Sequence, residues 1–292
     1  MNRRAHQAID GIVEAVRHGK TEIIDADLSK YFDTIPHREL MRQVARRVSD
    51  GSVLKLIKAW LRAPIVEEDG AGRKRVIPNR CGTPQGGVIS PLLANIYLNG
   101  LDHGVNERCK SWAEMHRYAD DFVICCRPGS SGEVLARLKR WLEVKGLKLN
   151  ETKTRVVNIR SEGLDFLDFN ITWRLSWRGR YYPHVEPSSK SQRELRRKLR
   201  EHLNHWTLWR PVRDNVSRVN RLLRGWAGYF HYRNSSAVMD EAMTYARDRL
   251  RRWVWRKHAC SRGIWKHYPD ARLHNLYGLY EMPIAAGWKA KR

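Results

Sequence analysis

The chain has 292 residues, 42% of them hydrophobic, with 55 Lys and Arg against 31 Asp and Glu and a formal net charge of +24 at pH 7. That content supplies a core for one large domain or two ordinary ones and excludes a disordered chain. The charge excludes an ordinary enzyme of small neutral molecules and calls for a polyanionic partner. No stretch approaches the ~18 uninterrupted apolar residues of a membrane span, and Met1-Asn2-Arg3-Arg4 does not open a signal peptide, so a cytoplasmic location without membrane association is expected. Five cysteines, an odd number without CxxC spacing, are expected as reduced, mostly buried thiols.

Along the chain, Ala5, Ala8, Ile9, Ile12, Val13 and Val16 recur at helical spacing over residues 5–18, and Gly19 ends that segment. A half-buried strand over 21–28 follows, carrying Asp25 and Asp27 on one face because strand side chains alternate with period two. Carboxylates at the end of a strand are well placed for a metal ion, and Asp25 is a second candidate beside Asp27. Helices are expected over 37–48 and 53–61 and a glycine-bearing hairpin over 66–76. Pro84-Gln85-Gly86-Gly87 then makes a turn whose glycines let backbone approach a ligand closely, before a helix with Leu92, Leu93, Ile96 and Tyr97 on its apolar side.

Arg117-Tyr118-Ala119-Asp120-Asp121-Phe122-Val123-Ile124 reads as two strands meeting at a tight turn that holds two adjacent acids. Two readings stand at this point. Asp is a common turn former, and adjacent carboxylates are equally the mark of a bound divalent cation that relieves their repulsion. A helix over 132–145, a strand over 155–159 and a small hairpin at Phe166-Leu167-Asp168-Phe169 complete this half.

From about residue 188 the pattern is helical throughout. Ser191-Gln192-Arg193-Glu194 has capping-box spacing ahead of Leu195, Leu199 and Leu203, and two further apolar stripes run from Val212 to Phe230 and from Val238 to Val254. Three amphipathic helices with short connections predict a bundle. Residues 1–165 hold 28 Lys and Arg against 21 acids, whereas 166–292 hold 27 against 10, so the second half is the basic half. Trp206, Trp209, Trp226, Trp253, Trp255 and Trp265 interleave with its arginines, a composition suited to nucleic-acid backbone and base stacking. Most individual tryptophans are nevertheless expected in the core.

Taken in order, Asp27 with Phe32-Asp33, Pro84-Gln85-Gly86-Gly87, Tyr118-Ala119-Asp120-Asp121, Gly146-Leu147 with Lys153-Thr154, and Phe166-Leu167-Asp168-Phe169 resemble a reverse transcriptase of the group II intron type. The helical remainder, with Arg224-Gly225-Trp226-Ala227-Gly228-Tyr229-Phe230 and Arg233-Asn234-Ser235-Ser236, resembles the maturase (thumb, or X) domain of those intron-encoded proteins. The resemblance implies an α+β fold: a polymerase palm, an antiparallel sheet with packed helices, over 1–186, then an all-α thumb or maturase bundle over 187–292.

It also implies RNA-directed DNA polymerisation, with Asp27, Asp120 and Asp121 holding two Mg²⁺ ions, Asp120 more directly than Asp121. Phe32 would be the aromatic gate against a ribose 2′-hydroxyl, ahead of Tyr31. Gln85, Gly86 and Gly87 would contact the incoming dNTP and template base, and Lys153 the leaving pyrophosphate. Phe166–Phe169 would be the primer grip, although the family has Gly where this chain has Asp168. The implied partners are intron RNA, an RNA template and a DNA primer. The family carries an N-terminal fingers region with an Arg-Pro-x-Arg-Ser segment ahead of the helix at 5–18, and Met1-Asn2-Arg3-Arg4-Ala5-His6 starts inside that segment, so a truncated product, or a partner chain or dimer supplying fingers, is expected. No histidine and cysteine array resembling a homing endonuclease follows the bundle. The alternative function is a non-catalytic RNA-binding splicing cofactor or an inactive remnant.

Overall fold

The computed structural model describes residues 4–68, 70, 72–84, 86–109, 111–258 and 263–285. They form two compact units, residues 1–162 and 163–292. Composition changes near 187, but the compact units part earlier, because the hairpin strands that follow residue 163 pack with the helices that come after them.

The first unit runs α1 (Ala5–Arg17), β1 (Glu22–Ala26), α2 (Tyr31–Thr34), α3 (His37–Val44), α4 (Gly51–Arg62), β2 (Ile65–Glu68), β3 (Lys74–Ile77), α5 (Ser90–Arg108), β4 (Ala113–Tyr118), β5 (Asp121–Cys126), α6 (Ser131–Val144) and β6 (Arg155–Asn158). Four strands make an antiparallel sheet in the order β4-β5-β1-β6. The two central strands are covered on both faces, which is why Phe122 to Cys126 is an unbroken buried run and not an alternating one. Ile24, Ala26, Phe122, Ile124 and Cys126 share one core with Leu40, Leu93, Tyr97, Leu138 and Leu142 from α3, α5 and α6. Helix α1, with Ile9, Ile12, Val13 and Val16 buried, packs against β4 and β5.

Some local expectations are corrected. Leu92 faces solvent, and Leu93 and Tyr97 carry the buried side of α5. Helix α3 stops at Val44, four residues short of the expected end, and α4 begins at Gly51 because Asp50 caps it, its carboxylate accepting from Ser52 N (2.7 Å) and Val53 N (3.2 Å).

The second unit opens with a three-stranded antiparallel sheet, β7 (Leu164–Phe166), β8 (Phe169–Leu175) and β9 (Tyr181–Pro187), with β8 central. Strand β9 was not legible in the sequence, since Pro183 and Pro187 read as a boundary; both fit here because β9 is an edge strand. Helices α7 (Ser189–His202), α8 (Val212–Phe230) and α9 (Ser236–Lys257) follow, then α10 (Ile264–His267) and α11 (Asp270–Asn275). The cap of α7 is Ser188, whose hydroxyl accepts from Ser191 N at 3.2 Å, and not Ser191 as the capping-box spacing had indicated. Phe169 of β8 packs against Tyr229 and Phe230 of α8, with ring centroids 5.5 and 5.2 Å away. Trp253 is buried, but Trp206, Trp209 and Trp265 are exposed, so half of the six tryptophans named above lie outside the core. No helix of the described residues is long and apolar enough to cross a membrane.

Candidate active site

The site begins with sheet register. In the β1–β5 ladder Ile24 pairs with Ile124 and Ala26 with Phe122, so the next step along both strands sets Asp27 level with Asp121. Paired residues of neighbouring strands share a face, and Asp27 therefore stands beside the β4–β5 turn that carries Asp120. Asp27 and Asp120 are half-buried and Asp121 is exposed.

That turn is held in a costly shape. Ala119 has φ of +57°, the left-handed region that a Cβ disfavours. The buried side chain of Arg117 braces it: Nη1 donates to the Ala119 carbonyl (2.7 Å) and to Asn95 Oδ1 (2.6 Å), while Nε and Nη2 bind the two carboxylate oxygens of Asp102. Sequence reasoning passed over Arg117 and Asp102. The available signal was a cation on a strand position that neighbours a core, where only a paired charge persists.

Asp27 is fastened by the loop after α6. Asn150 N donates to the Asp27 carbonyl (2.8 Å) and Asn150 Nδ2 to its Oδ2 (3.1 Å), and the Lys153 ammonium lies 3.5 Å from the same oxygen. Lys153 keeps 67% of its side chain exposed, so it can swing without disturbing the core. Asp25 is instead ion-paired to Arg155 across the β1–β6 ladder, Nε to Oδ2 at 3.2 Å.

Phe32 and Tyr31 divide their duties. Tyr31 is buried, its hydroxyl donating to the Ala94 carbonyl (2.6 Å), and burial pushes its phenol above the usual range, with Arg117 opposing and Asp120 adding to the rise. Phe32 is half-buried, 5.5 Å from the Tyr31 ring. Its carbonyl accepts from Thr83 N (2.6 Å), and Gly82 N donates to Ile35 O (2.8 Å), which docks the loop before Pro84 onto α2. Only glycine fits at 82: φ is +81°, and a Cβ would stand 2.5 Å from the Phe32 carbonyl oxygen. Gly86 (φ +85°) and Gly87 continue that loop into α5, with Gly87 N bonded to Pro84 O at 3.1 Å. Gln85 lies outside the described residues. A groove of about 1370 Å³ opens beside the turn, lined by Tyr118 and Ala119 and by Arg42, Arg46 and Lys145.

Among the described residues no group of three His, Cys, Asp or Glu side chains is drawn close enough to hold an ion. The donor chemistry nevertheless suits a hard divalent cation, since all three candidates are carboxylates: Asp27 follows β1, Asp121 opens the neighbouring β5, and Asp120 lies in the turn before it.

A central antiparallel sheet backed by helices, with acids at the end of one middle strand and at the turn entering its neighbour, defines a nucleotide polymerase palm. Residues 3–171 match the family model of reverse transcriptase (RNA-dependent DNA polymerase), and residues 192–269 match the group II intron maturase-specific domain. The chain belongs to the reverse transcriptase family and carries the maturase-specific domain of group II introns in its second unit. Among curated relatives, protein YkfC of Escherichia coli is 32% identical over 210 residues, 58% of this chain and 52% of that one. An uncharacterized 91 kDa protein in the cob intron of Schizosaccharomyces pombe is 24% identical over 79% of this chain and 37% of its own length. The group II intron-encoded protein LtrA of Lactococcus lactis is 36% identical over 29% of this chain and 13% of that one. The chain thus spans about half the length, or less, of these relatives. The telomerase of Candida tropicalis shares the fold at 10% identity, with a TM-score of 0.51 over 88% of this chain and 50% of that one.

Proposed function

We propose that this chain is the polymerase and maturase portion of a group II intron-encoded protein, extending a DNA primer with dNTPs on an RNA template and binding intron RNA through its second unit. The observation that carries the polymerase reading is the β1–β5 register, which sets Asp27 level with Asp121 at the braced turn. Asp27, Asp120 and Asp121 are the residues that would hold Mg²⁺, which when bound supplies charge neutralisation at the transferred phosphoryl group and a more acidic primer hydroxyl. The chain's own groups do the rest. Phe32 walls off the sugar, so a 2′-hydroxyl meets a ring. The glycine backbone at 86 and 87 lets the nucleotide approach, and Gln85 adjoins it in sequence. Lys153, released from Asp27, brings its ammonium to the departing pyrophosphate.

RNA binding is supported separately by the excess of 27 basic over 10 acidic residues in 166–292 and by the maturase-domain match. The test is primer extension on an RNA template with dNTPs and Mg²⁺, run beside an RNA-affinity measurement. Asp120→Ala is expected to abolish extension and leave RNA affinity unchanged. Extension by that variant at the parent rate refutes the acid assignment, and RNA affinity indifferent to salt refutes the basic-surface reading.

A further inference from the structure

The connection between α7 and α8 takes no part in the palm chemistry, and its build is unusual. Over residues 204–210, Thr207 N bonds Asn204 O (3.3 Å), Leu208 N bonds His205 O (3.2 Å) and Arg210 N bonds Thr207 O (3.1 Å). This bonding makes a single 3-10 turn over His205–Thr207, which carries Trp206, and a second turn directly after it carries Trp209. Trp206 and Trp209 are three apart. Both indoles stand in solvent, 79% and 76% exposed, although tryptophan is on average a highly buried residue.

The exposure does not come from a loose loop. Thr207 is buried, its hydroxyl donating to His202 O and Asn204 O (both 2.9 Å) and accepting from Trp253 Nε1 (2.9 Å). Lys257 Nζ donates to Leu208 O (2.6 Å), Arg249 to Leu203 O (2.6 Å) and Asn215 to His202 O (2.7 Å). Two large rings are therefore held out on a frame fastened by buried and half-buried groups of α8 and α9. Leaving that much apolar surface in water stabilises nothing in the folded chain.

The surroundings are cationic. The Arg210 guanidinium lies 5.3 Å from the centre of the Trp209 ring, and Arg218 and Arg221 project from α8 into solvent. The imidazole of His202, at the root of the same connection, is held below its usual range by burial first and then by Arg218, Arg210 and Arg221, with Glu201 opposing. Flat aromatic faces set among arginines match one chemistry well: unpaired bases stack on the rings while the phosphates meet the guanidinium groups. An apolar protein partner would gain from the rings but not from this arrangement of charge, and an anionic lipid surface would gain from both without needing two rings held on a rigid frame.

We propose that Trp206 and Trp209 form a rigid stacking platform for unpaired bases of an RNA strand whose phosphates are taken by Arg210, Arg218 and Arg221. The platform rests on the RNA-binding reading above and locates it. The experiment uses the full chain, a labelled oligouridylate of about 20 nucleotides, a blunt RNA duplex and vesicles of phosphatidylcholine with phosphatidylserine, across a salt series. Combined Trp206→Ala and Trp209→Ala is expected to weaken oligouridylate binding about tenfold or more. The slope of affinity against salt should stay unchanged, because no charge is removed. The corresponding tyrosine pair retains most of the affinity, the duplex is little affected, and thermal unfolding of all variants coincides. Parent-like oligouridylate binding by the alanine pair overturns the platform, as does an equal loss on duplex or a loss confined to vesicles. A parent chain that binds no RNA overturns the RNA-binding reading itself, a result distinct from any of these.

Discussion

Arg117 and Asp102 form a buried two-pronged ion pair, Nε to Oδ1 at 2.8 Å and Nη2 to Oδ2 at 2.5 Å, and the guanidinium's remaining arm holds the Ala119 carbonyl of the acidic turn. Backbone in the left-handed region costs a non-glycine residue about 1–2 kcal/mol, so the brace helps to determine where Asp120 and Asp121 point. A guanidinium can grip a carboxylate with two parallel bonds and still reach a carbonyl, which an ammonium on a flexible stem cannot.

Arg117→Lys is therefore expected to lower kcat for primer extension about tenfold or more while KM for dNTP stays nearly constant. Asp102→Ala, which strands a buried cation, should cost about 3–5 kcal/mol of stability by urea denaturation. The combination of Asp102→Leu with Arg117→Met should recover much of that stability but not the kcat. Parent kcat in Arg117→Lys would remove the arginine from any role in positioning the acids.

The proposed sugar wall and the loop glycine are expected to be coupled. A Cβ at position 82 would meet the Phe32 carbonyl, and Phe32 is the ring that would meet a 2′-hydroxyl. Phe32→Val should raise the relative use of ribonucleotides about 10- to 100-fold, the scale on which a pocket wall discriminates small groups. Gly82→Ala, with a Cβ at 2.5 Å from that oxygen and φ of +81°, should displace the ring and relax the same discrimination, with a loss of roughly 1–3 kcal/mol in stability. Misincorporation assays with mixed dNTP and NTP check both. If Gly82→Ala loses stability yet keeps strict sugar selection, the coupling is absent.

Much of this layout was readable from side-chain pattern alone, for reasons that also mark where reading stops. The unbroken apolar run after Asp121 and the helical stripes of α1, α8 and α9 come from periodic burial, which one sequence displays directly. That Asp27 follows Ala26 out of a ladder whose partner strand begins at Asp121 depends on which strands are neighbours, and the chain order β1 before β4 and β5 does not reveal the spatial order β4-β5-β1-β6. The Arg117–Asp102 pair joins a strand to a helix, and the Asn150 amide reaches Asp27 from 123 positions away, so the pattern around Arg117 could flag a buried cation but neither partner is named locally. Strand β9 was hidden by its prolines, whose meaning changes once the strand is known to be an edge.

The hairpin turn at Leu167-Asp168 gives a physical meaning to the departure seen there. Phe166 pairs with Phe169, leaving a two-residue loop in which both residues are left-handed, at φ +50° and +62°. That is the demand of a mirror-image hairpin turn, which asparagine and glycine satisfy and leucine does not. The Asp168 carbonyl also accepts from Ser188 N (2.8 Å), which ties the turn to the cap of α7. Leu167→Asn together with Asp168→Gly is expected to stabilise the chain by roughly 1 kcal/mol and to raise Tm by a few degrees. An unchanged or lowered Tm would show that the leucine contributes contacts outweighing its backbone strain.

His116 sits on β4 under α1, where Gly11 comes so near that a Cβ would stand 2.4 Å from the imidazole Nδ1. Burial lowers its pKa from 6.5 to about 4, with Glu114 opposing at 3.7 Å from Nε2 and Lys20, itself paired to Glu114 at 2.8 Å, adding to the depression. Between these two values the unfolded chain binds the proton that the folded chain refuses, so stability rises with pH across the window. The contribution is complete above pH 6.5 and is lost as pH falls towards 4. Glu114, which burial pushes up but which the Lys20 hydrogen bond and the charges of His116 and Lys20 together hold below its usual range, adds a further loss in the same direction at lower pH. Urea midpoints measured from pH 7.5 to pH 4 should therefore fall steadily, and His116→Gln, which keeps similar bulk without a titrating ring, should flatten the part of that decline above pH 4.5. A variant whose midpoint declines in parallel with the parent would place the acid sensitivity elsewhere in the sheet.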